Sequence, residues 1–287
     1  MNQRHPRTLF FIGAHPDDET FGAGGTLAQY ARSGVKVYYL CGTRGEVGEA
    51  EPRFMQGYAS VGDMRWAELE CAAKILGLAG VSHLGYRDSG MPGSEDNRHP
   101  DALAAAPTEE VARRIVKIMR EHQPQVVITF DPIGGYRHPD HIAMHKAAVM
   151  AFQAAPDPSR YPEAGQPYQP QKLYFGIFPR GALKFFVKIM PLLGRDPRRF
   201  GKNKDIDLTA IANVTFPVNA VIKPDKQAAA ARDSARACHA SQLGGGGPPG
   251  GPFAFLMNLL LGQHDLFMRA YPPPGGHKEK DLFNEVV

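Results

Sequence analysis

Two short clusters of histidine and carboxylate side chains are the part of this chain best suited to chemistry. The segment AHPDDE at residues 14–19 packs one histidine and three carboxylates into five positions, and the segment HPDH occupies residues 138–141. Groups of this kind can bind a metal ion while another carboxylate remains for proton transfer. The two segments therefore predict a metal-dependent hydrolytic site, provided that the fold brings them together.

The ligand set of a catalytic zinc ion can be drawn from these two clusters. Such a site has three protein ligands of the histidine or carboxylate type and keeps a fourth position for water. The residues that would make this set are His15, Asp18 and His141. Zinc is the expected metal, although Fe²⁺, Co²⁺ and Mn²⁺ also accept two histidines and a carboxylate.

The other residues of the clusters suit proton transfer and charge stabilisation. Asp17 would lie beside the water as general base. His138 would act as a cation toward developing negative charge, and Asp140 would orient the His138 imidazole. Each His-Pro-Asp segment by itself is equally typical of a helix cap, so the prediction depends on finding both segments at strand ends.

The elements that position these clusters follow from the hydrophobic pattern. Strands are predicted at Thr8–Ile12, Val35–Cys41, Val81–Leu84 and Val126–Phe130, with helices at Gly24–Ser33, Asp63–Leu76 and Thr108–Glu121. This alternation predicts an α/β fold, a Rossmann-like three-layer sandwich with a mainly parallel sheet. The AHPDDE and HPDH segments follow the first and fourth strands, and ligands bind at the carboxyl ends of such strands.

The chain is predicted to form one domain over residues 1–287, with the metal site in a core at residues 1–155. Residues 156–287 would be an elaboration that shapes the substrate site. Its predicted elements are strands at Lys172–Ile177 and Asn213–Val218 and a helix at Lys223–His239, ahead of a glycine-rich run at Gly244–Gly251. Two apolar stretches, at residues 185–193 and 253–261, would pack in the core, form a homo-oligomer interface or line a lipophilic pocket.

Composition excludes several classes of protein. The 33 basic and 29 acidic residues give a formal charge of +4 that is spread along the 287 residues, which does not favour nucleic-acid binding. No apolar stretch is long enough to cross a membrane, and the first apolar run is too short for a signal peptide. Cys41, Cys71 and Cys238 are too few and too far apart in sequence to predict a disulfide framework or a cysteine-rich zinc site. A reducing, cytoplasmic setting is therefore expected.

The two clusters resemble the motifs of a known family. The AHPDDE and HPDH segments are similar to those of the PIG-L/LmbE-like N-deacetylases, and the resemblance covers roughly residues 8–150. It implies a zinc-dependent hydrolase that removes an N-acetyl group from an N-acetylglucosamine-type substrate. It also implies the ligand set and base given above, with His138 stabilising the oxyanion or protonating the leaving amine and Tyr136 polarising the amide carbonyl.

The same resemblance implies a set of substrate contacts outside the two motifs. These residues are Arg44, Glu46, Arg65, Asp88 and His239. For the charged residues among them the alternative interpretation is a solvated loop charge or an ion pair. For His239 the alternative is a purely structural place at a helix C-terminus, which favours a cationic histidine.

Other functions remain open at this point. Hydrolysis of another N-acylated small molecule, such as a thiol conjugate or an amide natural product, would use the same chemistry. A dinucleotide-binding domain is disfavoured because residues 17–19 place carboxylates where a pyrophosphate needs bare backbone amides. A non-catalytic protein with a structural metal is disfavoured because a structural zinc site is normally closed by four protein ligands.

Overall fold

The computed structural model describes residues 6–177, 180–200, 207–243 and 264–287, with the side chains of residues 180–182 left out. Seven strands form one sheet in the order β3-β2-β1-β4-β5-β7-β6. The strands are β1 (Thr8–Gly13), β2 (Lys36–Cys41), β3 (Gly80–His83), β4 (Val126–Phe130), β5 (Lys172–Ile177), β6 (Ala220–Ile222) and β7 (Asp265–Tyr271). The first five are mutually parallel, and β7 runs antiparallel to both of its neighbours.

Helices cover both faces of this sheet. They are α1 (Asp18–Arg32), α2 (Val61–Leu76), α3 (Thr108–His122), α4 (Gly134–Arg137), α5 (Pro139–Ala154), α6 (Arg180–Ile189), α7 (Leu208–Ala212) and α8 (Lys226–Cys238). Side chains of α3 and α5 pack on one face, and those of α1 and α2 pack on the other. The predicted α/β sandwich with a mainly parallel sheet is confirmed.

Strand β1 lies at the centre of the sheet and shows why a continuous apolar run forms it. All six residues of its TLFFIG sequence are buried. Phe10 and Ile12 join the core beneath α3 and α5, while Leu9 and Phe11 join the opposite core. A strand that is covered on both faces needs apolar side chains at every position, because successive side chains point to opposite faces.

The predicted strand at residues 213–218 is wrong. Helix α7 ends at Ala212, the chain is irregular through residue 219, and strand β6 begins only at Ala220. Pro217 lies within the predicted stretch and has no N–H to donate to a sheet, which weakens that position for strand pairing. The antiparallel strand β7, which pairs with β5 and β6, was not predicted.

The cysteine prediction is also wrong in one respect. Cys71 and Cys238 form a disulfide across 167 positions of sequence, with their Cα atoms 5.9 Å apart. Helices α2 and α8 pack side by side, sharing a small alanine-rich core, and this brings the two residues together. The large separation of Cys71 and Cys238 in sequence therefore did not mean that they are far apart in the folded protein.

The apolar stretches are only partly described. In the 185–193 stretch, Phe186 and Met190 are buried against Leu208 and Ile211, whereas Phe185, Leu192 and Leu193 are exposed. The stretch at residues 253–261 and the run Gly244–Gly251 lie outside the described residues. None of the helices in the described ranges is long and apolar enough to span a membrane.

Candidate active site

The two chemical clusters meet at the carboxyl ends of neighbouring strands. Strands β1 and β4 are paired in parallel, and the chain turns outward in opposite directions from them, toward β2 and toward β5. Such a switch point leaves a crevice between the two strand ends. The AHPDDE segment leaves the end of β1, and the HPDH segment opens α5 shortly after β4.

The predicted metal ligands face one another inside this crevice. His15 Nδ1 lies 3.3 Å from His141 Nε2, and the Asp18 carboxylate lies 3.4 Å from His141 and 3.8 Å from His15. All three residues are less than a tenth exposed. The backbone amides of Ala14 and His15 donate to Asp18 Oδ2 at 2.9 and 2.8 Å, which fixes the carboxylate in place.

The hydrogen bonds of His15 show that these residues fit a cation. Its Nε2 lies 3.1 Å from Asp140 Oδ2 and donates to it, so that in the neutral ring Nδ1 would carry the lone pair that faces His141 and Asp18. A carboxylate behind a histidine is the usual support for a metal ligand. Burial lowers the pKa of His15, but Asp88 and Asp140 outweigh burial and raise it well above its ordinary value. The surroundings of His15 therefore favour positive charge at this point.

Asp140 supports His15, whereas the sequence predicted that it would orient His138. Its carboxylate accepts hydrogen bonds from the Ser89 amide, at 3.0 Å, and from the Ser89 hydroxyl. Only the backbone N–H of Asp140 reaches His138, at Nδ1 and 3.2 Å. Pro139 begins α5, so His138 is its N-cap residue, and the carboxylate two positions later turns toward β1.

His138 also lies close enough to be considered as a ligand. The ring nitrogens of the three histidines lie within 4.8 Å of one another, and a second group joins His15 and His138 with Asp88 and Asp140. However, Nδ1 of His138 accepts the Asp140 amide hydrogen, so the neutral ring carries its proton on Nε2. A metal-binding histidine instead donates through its second nitrogen. His138 is therefore better suited to donate a hydrogen bond.

The charge predicted for His138 is not favoured in this structure. Burial, together with the charge on His15, lowers the pKa of His138 to about 2. The resting imidazole is therefore neutral, and its contribution to stabilising negative charge comes through the Nε2–H group.

Asp17 is held in an unusual backbone conformation beside these ligands. Its φ of 118° lies in the left-handed region, which residues other than glycine rarely adopt. The Asp17 carboxylate accepts a hydrogen bond from Arg65 at 3.0 Å, and its backbone N–H donates to Glu19 Oε2, also at 3.0 Å. Burial raises the pKa of Asp17 to about 6, and Arg65 opposes that increase. A carboxylate with this pKa is a suitable base near neutral pH.

Glu19 is a site residue to which the sequence assigned no role. It is fully buried, and its Oε1 lies 2.7 Å from Nε2 of His239, which ends helix α8. His239, predicted to contact substrate, is fully buried against Glu19 and lies outside the cavity wall described below. Only the position of Glu19 within the AHPDDE segment hinted at its importance.

Aromatic side chains and a glycine shape the surroundings of His141. The Phe130 ring stacks on the His141 ring with centroids 3.9 Å apart, and Tyr136 approaches His141 edge-on at 5.0 Å. Gly134 has a φ of 63°, and a Cβ added to it would lie 2.8 Å from Cβ of His141. The close approach of the loop to His141 therefore requires glycine at position 134.

A cavity of about 420 Å³ opens over these groups, and we call it the larger cavity. Its wall includes His15 and Asp17 together with Arg65, Asp88, Tyr136, His138, Ser241 and Gln242. Of the predicted substrate contacts, Arg65 and Asp88 line this cavity. Arg44 pairs instead with Asp63 at 3.1 Å on the surface, and Glu46 accepts the Asp88 amide hydrogen at 3.0 Å from behind the wall.

Arg65 acts as a support for Asp17 as well as a wall residue. Its guanidinium is buried and donates to the carbonyl oxygens of Pro16 and Gly45 at 2.7 and 3.2 Å, in addition to Asp17. Burial lowers the pKa of Arg65, but the nearby carboxylates, Asp17 first, raise it above its ordinary value. Ser241 and Gln242, which the sequence did not assign to the site, enter the wall because Glu68 holds Ser241 by two hydrogen bonds of 2.8 and 2.7 Å.

The chain is similar in sequence to known proteins. The family model described as PIG-L, GlcNAc-PI de-N-acetylase, matches residues 10–152. A protein of Streptomyces avermitilis named 1D-myo-inositol 2-acetamido-2-deoxy-alpha-D-glucopyranoside deacetylase is 37% identical over 303 residues, covering 100% of both chains. A protein of the same name from Geodermatophilus obscurus is 36% identical, covering 96% of this chain and 97% of the relative.

Solved structures with low sequence identity share the fold. The N,N'-diacetylchitobiose deacetylase of Pyrococcus horikoshii superposes with a TM-score of 0.62 at 20% identity, covering 92% of this chain and 83% of that one. The 4-carboxy-2-hydroxymuconate hydratase of Pseudomonas putida superposes with a TM-score of 0.52 at 17% identity, covering 94% and 98%. The fold therefore supports more than one reaction, and the reaction of this chain has to be inferred from its site residues.

Proposed function

The chain belongs to the PIG-L family, and from this membership and the site geometry we propose that it is a metal-dependent hydrolase that removes an N-acetyl group from an N-acetylglucosamine-type substrate. The observation that carries the proposal is the buried set of His15, Asp18 and His141, whose ligand atoms face one another beside Asp17. The curated relatives are named as deacetylases of N-acetylglucosamine linked to myo-inositol, and that substrate class is the first to test.

We propose that His15 Nδ1, His141 Nε2 and the Asp18 carboxylate hold the metal, and that the metal is zinc. When bound, zinc lowers the pKa of a water molecule to about 7 and polarises a carbonyl oxygen. The two imidazoles and one carboxylate would also accept Fe²⁺, Co²⁺ or Mn²⁺. The support for a cation is the Asp140 carboxylate behind His15 and the facing ring nitrogens of His15 and His141 in front of it.

The chain's own residues would carry the proton transfers and stabilise charge. Asp17 takes a proton from the attacking water and delivers it to the departing nitrogen, so that one amide and one water give one amine and one acetate. Arg65 keeps the Asp17 carboxylate aimed into the cavity. His138, with its proton on Nε2, donates a hydrogen bond to the carbonyl oxygen as negative charge develops there.

The sugar would bind in the larger cavity. Its wall offers a carboxylate from Asp88 and a guanidinium from Arg65, which suit the hydroxyl groups of a sugar. Burial raises the pKa of Asp88, but His15 outweighs burial and holds it below the usual range, so Asp88 is an acceptor. Tyr136 lies in the same wall and contacts the edges of His138 and His141, in a position to approach the amide carbonyl.

The decisive experiment measures release of free amine and acetate from N-acetylglucosaminyl inositol and from simpler N-acetylglucosamine derivatives. Zinc-loaded protein is compared with chelator-stripped protein and with Asp17→Ala. We expect Asp17→Ala to lower turnover by about 10²-fold or more while zinc content is retained, and His15→Ala to lose both zinc and turnover. The matched control is Asp101→Ala, whose side chain is 80% exposed, and it should behave as wild type.

The outcomes separate the remaining functions. No release from any sugar, but release from other N-acyl compounds, would assign the protein to the deacylases of thiol conjugates or amide natural products. No release from any N-acyl compound with any of the four metals would leave a metal-containing binding protein. A homo-oligomer and a cytoplasmic setting stay predictions, to be checked by light scattering and by fractionation.

A further inference from the structure

A second cavity, of about 340 Å³, meets the same reacting groups. It shares Asp17 and Tyr136 with the larger cavity, and Asp18 and His141 add to its wall. The reacting groups therefore lie between two spaces. We call the second space the arginine cavity, because Arg232 and Arg236 of helix α8 line it.

Arg236 is a partly buried cation without a counter-ion among the described residues. Its Nε atom is buried and makes no hydrogen bond, and its guanidinium lies over the Phe21 ring at 5.5 Å. Burial lowers the pKa of Arg236, and the positive charge of Arg232 lowers it further. The arginine cavity also holds the carboxylates of Asp17, Asp18 and Asp265, but none of them forms an ion pair with Arg236.

The charges of Asp233 and Asp265 favour the charged form of Arg236, but both carboxylates are held by other groups. Arg232 pairs with Asp233 on the outer side of helix α8, at 2.9 Å. The carboxylate of Asp265, also in the cavity wall, accepts the Thr26 amide and hydroxyl hydrogens at 2.8 and 2.6 Å. A cation removed from water without a partner is unfavourable, so an anion that enters here would be stabilised.

The rest of the wall limits the kind of anion that fits. Apolar side chains dominate it, among them Phe11, Phe21, Phe130, Ile177 and Leu266. A polyphosphate or a sugar would bring more polar groups than one arginine can satisfy. A carboxylate on a short hydrocarbon chain matches both the one arginine of the wall that has no ion pair among the described residues and the apolar surface.

We propose that the arginine cavity is a carboxylate-binding subsite and that Arg236 is its binding cation. The inference rests on the proposed function, because amide hydrolysis generates a carboxylate at the reacting groups between the two cavities. The C–N bond breaks, a C–O bond to water forms, the amine leaves with a proton through the larger cavity, and the acyl fragment leaves as its carboxylate through the arginine cavity.

Two sources could supply this carboxylate. One is the acetate formed in the reaction, and the other is an acyl group that already carries a distal carboxylate, such as N-succinyl. The volume of about 340 Å³ is far larger than an acetyl group needs, so both sources fit.

The test begins with direct binding, which does not depend on turnover. Acetate and succinate are titrated calorimetrically into the zinc-loaded protein, into Arg236→Met, which keeps a stem over Phe21 but loses the charge, and into Arg236→Lys. The control is Arg113→Met, which removes an exposed arginine of helix α3. We expect Arg236→Met to weaken carboxylate binding about tenfold or more, since a hydrogen bond to a charged group is lost, and Arg236→Lys to recover part of it.

Kinetic measurements distinguish the two possible sources of the carboxylate. Weaker product inhibition by acetate in Arg236→Met would indicate the leaving acetate, and a selective loss of kcat/KM on N-succinyl over N-acetyl substrate would indicate a substrate-borne carboxylate. Unchanged binding of both carboxylates would overturn the proposal, even if deacetylation is observed. If Arg236→Met does not fold, Arg236→Gln replaces it, and wild-type binding of acetate is compared with binding of acetamide, which has no carboxylate. Equal affinity there would also overturn the proposal.

Discussion

Removing the Cys71–Cys238 disulfide should lower stability strongly and turnover little. The bond closes a loop of 167 positions, and restricting the unfolded chain to such a loop corresponds to about 5 kcal/mol in the chain-entropy description. Measured losses are commonly nearer 2–4 kcal/mol, so we expect Cys71→Ser/Cys238→Ser to lose between about 2 and 5 kcal/mol. Turnover should persist because Glu19 still holds His239 and Glu68 still holds Ser241.

Urea unfolding followed by circular dichroism provides the assay. The double variant should unfold at lower urea concentration and with a steeper slope, because its unfolded chain exposes more surface. Wild-type protein with a reducing agent should match the double variant, while the same agent should leave the double variant unchanged. Equal midpoints for oxidised and reduced wild type would refute the reasoning. Loss of turnover without loss of stability would instead place the bond in the active-site machinery.

Two further predictions concern buried carboxylates. Glu19→Gln should lower kcat about tenfold or more with little change in KM, because the acceptor for the Asp17 amide is altered and the base is misplaced. Steady-state kinetics tests this, and Thr20→Val, which loses a different bond to the same carboxylate, should retain wild-type turnover. Glu279→Gln should cost about 3–5 kcal/mol at pH 7, because the carboxylate pairs with Lys172 at 2.6 Å inside the protein. Burial raises the pKa of Glu279, but its hydrogen bonds with Lys172 and Tyr174 outweigh burial and lower it, so the stabilisation is present above pH 4.5 and lost as pH falls below that value. Urea unfolding at pH 7 and pH 4 should show the gap between wild type and Glu279→Gln narrowing at the lower pH, and an unchanged gap would contradict this linkage.

The central sheet could be predicted from sequence because its strands carry a local signal. Strands β1 to β5 are short apolar runs bounded by turns, and each was predicted within two residues of its observed ends. The meeting of the two motifs followed from the rule that parallel strands end at the same edge. The distances between His15, Asp18 and His141 are consistent with that prediction, while their role as ligands stays a proposal.

Features that depend on contacts distant in sequence could not be predicted. The disulfide needs the packing of α2 against α8, and the pairing of Glu19 with His239 spans 220 positions. Asp140 lies two positions after His138 in sequence, which suggested a contact between their side chains, but the segment after β1 presents His15 to the carboxylate instead. Strand β7 depends on pairing with β5 and β6, and the irregular stretch before β6 contains a proline.

The backbone of Asp17 has a consequence for any attempt to engineer this protein. A left-handed conformation at a residue other than glycine costs about 1–3 kcal/mol, and the same residue carries a buried carboxylate. Asparagine tolerates that conformation better, and glycine adopts it freely, so a library selected only for heat resistance should become enriched in Asn or Gly at position 17. The variants selected in this way would be stable proteins that lack the Asp17 carboxylate proposed as general base. Directed evolution of this chain therefore needs a selection for turnover in every round.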